Sequence, residues 1–363
     1  MLTFLHGADF HLDSPFHSLS PDQAAERRQE QRQLLTRLAD TVRETQAQLV
    51  FLAGDLFDSQ RVRPETLELL LDTLENMDAQ VFISPGNHDP YTASSPYARL
   101  TWPSHVHIFS SPYPERVELP HLGAVVYGSA FLSSHRMDSP LLDLQAKDEG
   151  LISFGCFHGD TSTPFSRYGP ITQEEIARSG LDYLALGHHP AASDLRMSGG
   201  TYYAWPGCPE GRGFDETGAK GIYLGRTDGF ACELDFLPLA HRQYRQVDLD
   251  ITGQDPHQAL LSLLTQGDPR NILRICLTGE RQGELDLAAL TTLAAPHAYS
   301  VTLKDETALP QALWARKEED TLTGLFLRSM AQKIAEASPD ERPFLERAVR
   351  FGLAALEGRE EPK

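Results

Sequence analysis

The sequence has no apolar run near the roughly 20 residues that a membrane-spanning helix needs, and Met1 to His6 lacks the basic region that opens a secretory signal. Both absences predict a cytoplasmic protein with no membrane partner. Cysteine is scarce: Cys156, Cys208, Cys232 and Cys276 stand far apart with no Cys-x-x-Cys pair. That argues against a disulfide framework and thiolate zinc sites, and for buried thiols. Positive charge is also short, with 32 Lys and Arg against 51 Asp and Glu and a net charge of −19. A protein that grips DNA through a broad basic surface is thereby excluded, although a local cationic site is not, because salt confines the repulsion to about 8 Å. Also missing are a P-loop, a Gly-x-Ser-x-Gly elbow and a cysteine nucleophile with a placed histidine. Any ATP use must come from a partner, and covalent catalysis is disfavoured. No internal repeat or low-complexity tract is present.

What is present, 363 residues of which 40% are apolar, suffices for a globular protein of two or three compact units. Residues 1–240 alternate short β-rich runs with helical stretches. Leu2 to His6, Leu49 to Ala53, Gln80 to Ile83, Ala124 to Tyr127, Leu151 to Phe154 and Leu181 to Leu186 read as buried strands. Between them, Leu34, Leu35, Leu38 and Val42, then Leu67, Leu70, Leu71 and Leu74, recur at helical spacing. This alternation predicts a layered α/β core with ligands gathered beyond the strand ends. Residues 241–310 follow a strand, helix, strand, helix, strand order and predict a small α+β domain. Residues 311–363 carry two amphipathic helices, broken at Ser338-Pro339-Asp340, and a frayed tail from Gly358. The apolar faces of these helices either pack on their own domain or meet a partner helix.

Histidine and aspartate concentrate after the strand ends: Asp9 and His11, Asp55 and Asp58, Asn87, His88 and Asp89, then His158, then His188 and His189. Oxygen and imidazole donors without thiolates suit Mn²⁺, Fe²⁺ or Zn²⁺. In Asp9-Phe10-His11 the alternation of an extended segment would put both polar side chains on one side and Phe10 on the other. Asp55, after a buried strand, could bridge two cations that would otherwise repel each other. Gly54 and Gly86 let the backbone turn tightly beside them.

Asp-x-His, Gly-Asp-x-x-Asp, Gly-Asn-His-Asp, a later His and a final Gly-His resemble the signature of calcineurin-like metallophosphoesterases over roughly residues 1–240. More narrowly, Ala8 to Phe16, Glu210-Gly211-Arg212 and Glu216-Thr217-Gly218 resemble SbcD-type DNA-repair nucleases of the YhaO branch. The resemblance implies a four-layer αββα sandwich, a small α+β capping domain over 241–310, and C-terminal helices over 311–363 that dock an SMC-like ATPase. It further implies two divalent ions, with Mn²⁺ expected. One would be held by Asp9, His11 and Asp55, the other by Asp55, Asn87, His158 and His188. His88 matches the family's catalytic histidine, with Asp58 a candidate to orient its ring.

The family's last motif continues His-x-His, whereas this chain reads Gly187-His188-His189-Pro190. Proline cannot ligate, so the first site is expected to bind more weakly, with His189 or water in the open place. Arg212, and less so Arg61 and Arg63, are candidates for contacts to substrate phosphates, and Tyr91, Tyr97 and Trp102 for stacking on an unpaired base.

The function implied is a metal-dependent DNA nuclease, a 3′ to 5′ exonuclease with possible single-strand endonuclease activity. It would act in double-strand-break repair with an SMC-like ATPase near the nucleoid, and the resemblance extends to the homodimer that SbcD-type proteins often form. Water would attack directly, with no covalent enzyme intermediate. Two rivals remain: a phosphodiesterase or phosphatase for a small nucleotide or lipid, and a non-catalytic scaffold whose metal pair Pro190 has impaired.

Overall fold

Leu5, Val50 and Val81 face one way from three neighbouring strands, and Phe4, Phe51 and Phe82 face the other, because alternate residues of a strand point to opposite sides. Each of these strands is therefore buried on both faces, and helices must cover one of them. The computed structural model describes residues 1–363 apart from 18, 147–149, 282–284, 339–340 and 359–363. The predicted break at Pro339-Asp340 and the predicted tail beyond Gly358 lie outside the described residues. The chain forms two compact units, Met1–Gln243 and Tyr244–Lys363.

In the first unit β1 (Leu2–Gly7), α1 (Pro21–Thr45), β2 (Leu49–Leu52), α2 (Pro64–Glu75) and β3 (Gln80–Ile83) follow one another. After the short α3 (Pro96–Arg99) come β4 (Val106–Ile108), β5 (Glu115–Leu119), β6 (Ala124–Gly128) and β7 (Ile152–His158). The unit ends with α4 (Gln173–Ser179), β8 (Tyr183–Gly187), β9 (Arg196–Ser198), β10 (Thr201–Ala204), β11 (Gly221–Thr227) and β12 (Cys232–Pro238).

Two six-stranded sheets result, ordered β12-β11-β1-β2-β3-β4 and β5-β6-β7-β8-β10-β9. Phe4, Phe51 and Phe82 of the first meet Val126, Phe154 and Tyr183 of the second in an aromatic core. Leu34, Leu35, Leu38 and Leu70 of α1 and α2 cover the outer face of the first sheet. Ile176 of α4 packs with Val125, Leu184 and Leu186 on the outer face of the second. This is the αββα sandwich that the resemblance implies. α1 begins with a full capping box, Ser20 with Gln23, and ends at Gln46 in the left-handed region.

β1 runs parallel to β2, β2 to β3, β6 to β7 and β7 to β8, so five strand ends bearing the predicted residues open on one edge of the sandwich. His158 is the last residue of β7 and pairs with Gly187, the last of β8. Strands β4, β5 and β9 to β12 were not among the predicted elements. β9 and β10 form a hairpin about Gly199 and Gly200, at φ 58° and 98°, a Gly-Gly turn that the sequence does advertise.

The second unit contains β13 (Tyr244–Asp250), α5 (Pro256–Leu264), β14 (Ile272–Thr278), α6 (Leu287–Ala294) and β15 (Ser300–Asp305). Its strands form an all-parallel sheet ordered β13-β14-β15. Leu260, Leu264, Ile275, Leu277 and Leu290 make one core. After α7 (Gln311–Ala315), α8 (Leu322–Glu336) and α9 (Arg342–Leu356) close on a second core of Leu327, Met330, Val349 and Leu353. Arg281, bonded to Asp305 at 2.7 Å and Glu346 at 2.9 Å, links the sheet to α9.

Candidate metal centre

At the tips of β1, β2, β3, β7 and β8 the chain turns sharply. Asp9, His11, Asp55 and His188 take positive φ, at 54°, 45°, 50° and 98°. Non-glycine residues rarely adopt this region, and it costs about 1–3 kcal/mol each unless the surroundings enforce it. Here Asp9 N–H donates to the Gly54 carbonyl at 3.0 Å and His11 N–H to the Asp55 carbonyl at 2.9 Å, lashing the two loops together. The extended geometry predicted for Asp9-Phe10-His11 is thus corrected. Left-handed turns present both polar side chains, while Phe10 sinks into the core.

Two donor sets result, each with its ligand atoms within 4.8 Å of one another: Asp9, Asp55 and His158, and His11, Asp55 and His88. Asp55 belongs to both. Gly86 makes room for Asp55 and Gly54 for His158: a Cβ on Gly86 would lie 2.2 Å from Asp55 Oδ1, and one on Gly54 2.1 Å from His158 Nδ1.

The arrangement of acceptors tests whether a cation fits. His158 Nδ1 donates to the Ala53 carbonyl at 2.9 Å, which leaves Nε2 facing Asn87 Oδ1 at 2.9 Å and Asp55 Oδ2 at 3.4 Å. His188 Nδ1 approaches the same Asn87 oxygen at 3.2 Å. When His158 is neutral its bare Nε2 faces the Asn87 oxygen with no hydrogen between them, an opposition of acceptors that a divalent cation would relieve. The residues fit such an ion.

Without a cation, the buried carboxylates draw a proton onto His158 instead. Burial favours neutral His158, but the carboxylates of Asp55 and then Asp9 outweigh it and hold its pKa above the ordinary histidine value. Burial pushes the Asp9 carboxyl up to about 7, with Asp55 adding to it against His158. Burial and the neighbouring His158 depress His188 to about 4. Buried Asp89 accepts from Phe57 N–H at 3.0 Å, Gly86 N–H at 2.8 Å and Tyr97 Oη–H at 2.6 Å, so it ties the Gly-Asp loop to the Gly-Asn-His-Asp loop. Sequence reasoning gave Asp89 no role, although its place in Gly-Asn-His-Asp was the available signal.

His88 is exposed at the mouth; its N–H donates to Asp55 Oδ1 at 2.8 Å and its Nδ1 lies 3.3 Å from the backbone carbonyl of Asp58. The Asp58 carboxylate, predicted to orient His88, instead lies 3.5 Å from His11 Nδ1 and 3.3 Å from Arg212 Nη1. A main-chain oxygen therefore holds the His88 ring. His189 is not brought into the cluster, since its Nε2 meets Thr161 Oγ1 at 3.0 Å and its ring lies against Trp205.

Arg212 sits beside the cluster, its guanidinium on Glu216 and Asp58, whereas Arg61 and Arg63 are exposed on the loop after Asp58. Tyr97 is 3% exposed and Tyr91 and Trp102 pack against the first core, so these aromatics serve the interior. Rings that lie at the site include Tyr168, against His188 with centroids 5.1 Å apart, and Phe131, against His158 at 5.6 Å.

The sequence profile of calcineurin-like phosphoesterases matches residues 2–223. The chain belongs to that family. Membership points to a metal-dependent hydrolase, in a family that binds divalent metals. The chain is 29% identical over 285 residues to YhaO of Bacillus subtilis (strain 168), described as an uncharacterized metallophosphoesterase; the match covers 72% of this chain and 66% of that protein. It is 24% identical over 287 residues to the DNA double-strand break repair protein Mre11 of Methanopyrus kandleri, covering 72% of this chain and 62% of that one. The chain thus spans slightly less than two thirds of each relative's length. Among the described residues no helix is long and apolar enough to cross a membrane.

Proposed function

We propose that this phosphoesterase is a nuclease that hydrolyses DNA phosphodiesters with two divalent ions, Mn²⁺ by expectation. The observation that carries this reading is the pair of donor sets sharing Asp55. Those sets group Asp9 with His158 and His11 with His88; in the assignment the resemblance implies, Asp9, His11 and Asp55 would hold one ion, and Asp55, Asn87, His158 and His188 the other. Cations bound there would polarise a phosphoryl oxygen and lower the pKa of a water molecule.

The chain's own groups do the rest. Asp55 offsets the repulsion between two positive charges. Because a carbonyl can only accept, His88 bonded to the Asp58 oxygen carries its proton on Nδ1, which leaves Nε2 to give or take a proton at the leaving oxygen. Exposure at the mouth suits that exchange.

The relation to a DNA double-strand break repair protein supports DNA as substrate, and the SbcD-type motifs support 3′ to 5′ polarity and work with an SMC-like ATPase near the nucleoid. A homodimer belongs to the same reading. Leu322, Leu325, Phe344 and Phe351 on α8 and α9 are more than half exposed and supply apolar contacts for that ATPase.

The test is Mn²⁺-dependent digestion of labelled single- and double-stranded DNA beside bis-p-nitrophenyl phosphate, with metal loading verified and His88→Ala as control. The wild type should cut DNA, and the variant should lose about 10²–10⁴-fold as a proton-transfer residue does. Hydrolysis of the small ester without DNA cleavage would refute the nuclease reading in favour of a small-molecule phosphodiesterase. Inactivity on both would refute it in favour of a scaffold.

A further inference from the structure

Three loops from distant parts of the chain meet at one oxygen. Asp58 Oδ1 accepts from Ser14 Oγ at 3.2 Å and from Arg212 Nη1 at 3.3 Å, and it lies 3.5 Å from His11 Nδ1. Ser14 and His11 follow β1, Asp58 follows β2, and Arg212 lies in the loop between β10 and β11.

Arg212 is itself held by Glu216, which is 4% exposed: the Arg212 N–H donates to Glu216 Oε2 at 2.8 Å and its Nε reaches both carboxylate oxygens at 3.2 Å. A planar guanidinium fixed along one edge has little freedom in where its remaining arm points. That arm points at Asp58. Held by Ser14 and Arg212, Asp58 Oδ1 lies 3.5 Å from His11 Nδ1, a buried nitrogen with no hydrogen bond among the described residues.

The chemistry of a histidine ligand gives this arrangement a use. A ligating imidazole must present one bare nitrogen, and a carboxylate near the other nitrogen selects that tautomer and fixes the ring. His11 Nε2 faces Asp55 Oδ2, 3.9 Å away. A proton on Nδ1, towards Asp58, leaves Nε2 bare on the side of the shared carboxylate.

We propose that Asp58, held in place by Arg212 and Glu216, is a positioning residue for His11. It fixes the imidazole as the Nδ1–H tautomer and so sets the strength of the first metal site. The inference rests on the two-ion reading above and deepens it. Pro190 stands where the family places a further ligand, and His189 turns to Thr161. Among the predicted ligands the first site therefore draws on Asp9, His11 and Asp55, and loss of the His11 orientation falls on a site with little in reserve. Arg212 then acts as a strut, coupling the Glu210–Glu216 loop to a metal ligand about 200 residues earlier in the sequence.

The experiment titrates Mn²⁺ calorimetrically into the metal-free full-length wild type, Asp58→Ala, Arg212→Gln and the double variant, with folding checked by circular dichroism. The His11 tautomer is read by long-range ¹H–¹⁵N NMR of histidine-labelled protein, assigned with His11→Asn. Asp58→Ala and Arg212→Gln should each weaken one of two sites by about 10- to 100-fold, the usual cost of removing such a supporting partner. The other site should be unchanged, and the double variant should be no weaker than Asp58→Ala, since both changes break one chain of contacts. His11 should change from pure Nδ1–H to a tautomer mixture.

If Asp58→Ala fails to fold, Arg212→Gln reads the same two quantities. Unchanged affinities, equal losses at both sites or an unaltered tautomer would overturn the proposal while leaving the metal centre intact. A wild type that binds no Mn²⁺ would overturn the two-ion reading first, and this inference with it.

Discussion

Asp55 is 2% exposed, touches both donor sets and has one carboxylate oxygen above Gly86 with no space between for a methyl group. Gly86→Ala should push that oxygen aside. Metal analysis after desalting should find Mn²⁺ content well below that of wild type, with affinity lowered by at least about tenfold. Asp9 gives a pH signature. With its pKa raised to about 7 from 3.8, folded metal-free protein keeps a proton that the unfolded chain releases across that interval. Stability of the metal-free protein should therefore fall as pH rises through it. A cation displaces the proton, so Mn²⁺ affinity should climb over the same interval, by up to about tenfold per pH unit. Calorimetry at several pH values checks the slope, which Asp9→Asn should flatten.

At the scale of elements, α1 is tied to the rest of its unit by charge as well as by leucines. Arg27 is fully buried and bonded to Glu30 and Glu210, and Arg242 Nε donates to both Glu30 oxygens at 2.9 Å. Breaking a buried pair by removing one partner leaves a charge without compensation. Arg27→Met should cost about 3–5 kcal/mol, seen as a lower urea midpoint. Burial alone would raise the Glu30 pKa, but Arg242 and Arg27 outweigh it and hold it below 4.5. Its contribution is thus complete above pH 4.5 and lost as pH falls through the depressed value. In Glu30→Gln the acid limb of the stability curve should be shallower. Helices α1 and α2 and strands β1, β2, β3, β6, β7 and β8 were legible because their leucines recur at 3.6-residue spacing or their apolar runs are continuous. Strand β9 was not, because it is three residues long and Arg196 faces solvent, whereas β12 alternates Cys232, Leu234 and Phe236 with Glu233 and Asp235, a half-buried pattern that sequence reasoning overlooked.

For the whole molecule, both donor sets lie in Met1–Gln243. Mn²⁺ at a hundredfold excess over its dissociation constant should stabilise that unit by about 2.7 kcal/mol. Chelation with EDTA should reverse the gain, and His158→Ala should remove the share of the site it serves, while the unfolding of Tyr244–Lys363 should not respond. Thermal scans with and without metal would show this.

The order of motifs by itself determined which residue types gather at the strand ends, since ligand chemistry demands carboxylate, amide oxygen and imidazole and the strands that carry them are written in the hydrophobic pattern. Only the tertiary structure decided which nitrogen or oxygen of each residue faces which neighbour. That Asp58 turns its carboxylate to His11 and its carbonyl to His88, that His189 turns to Thr161, and that Asp9 and His11 reach the site by left-handed turns depends on contacts between segments up to about 200 residues apart. Local sequence spacing holds no record of such contacts, because they exist only once both sheets have packed.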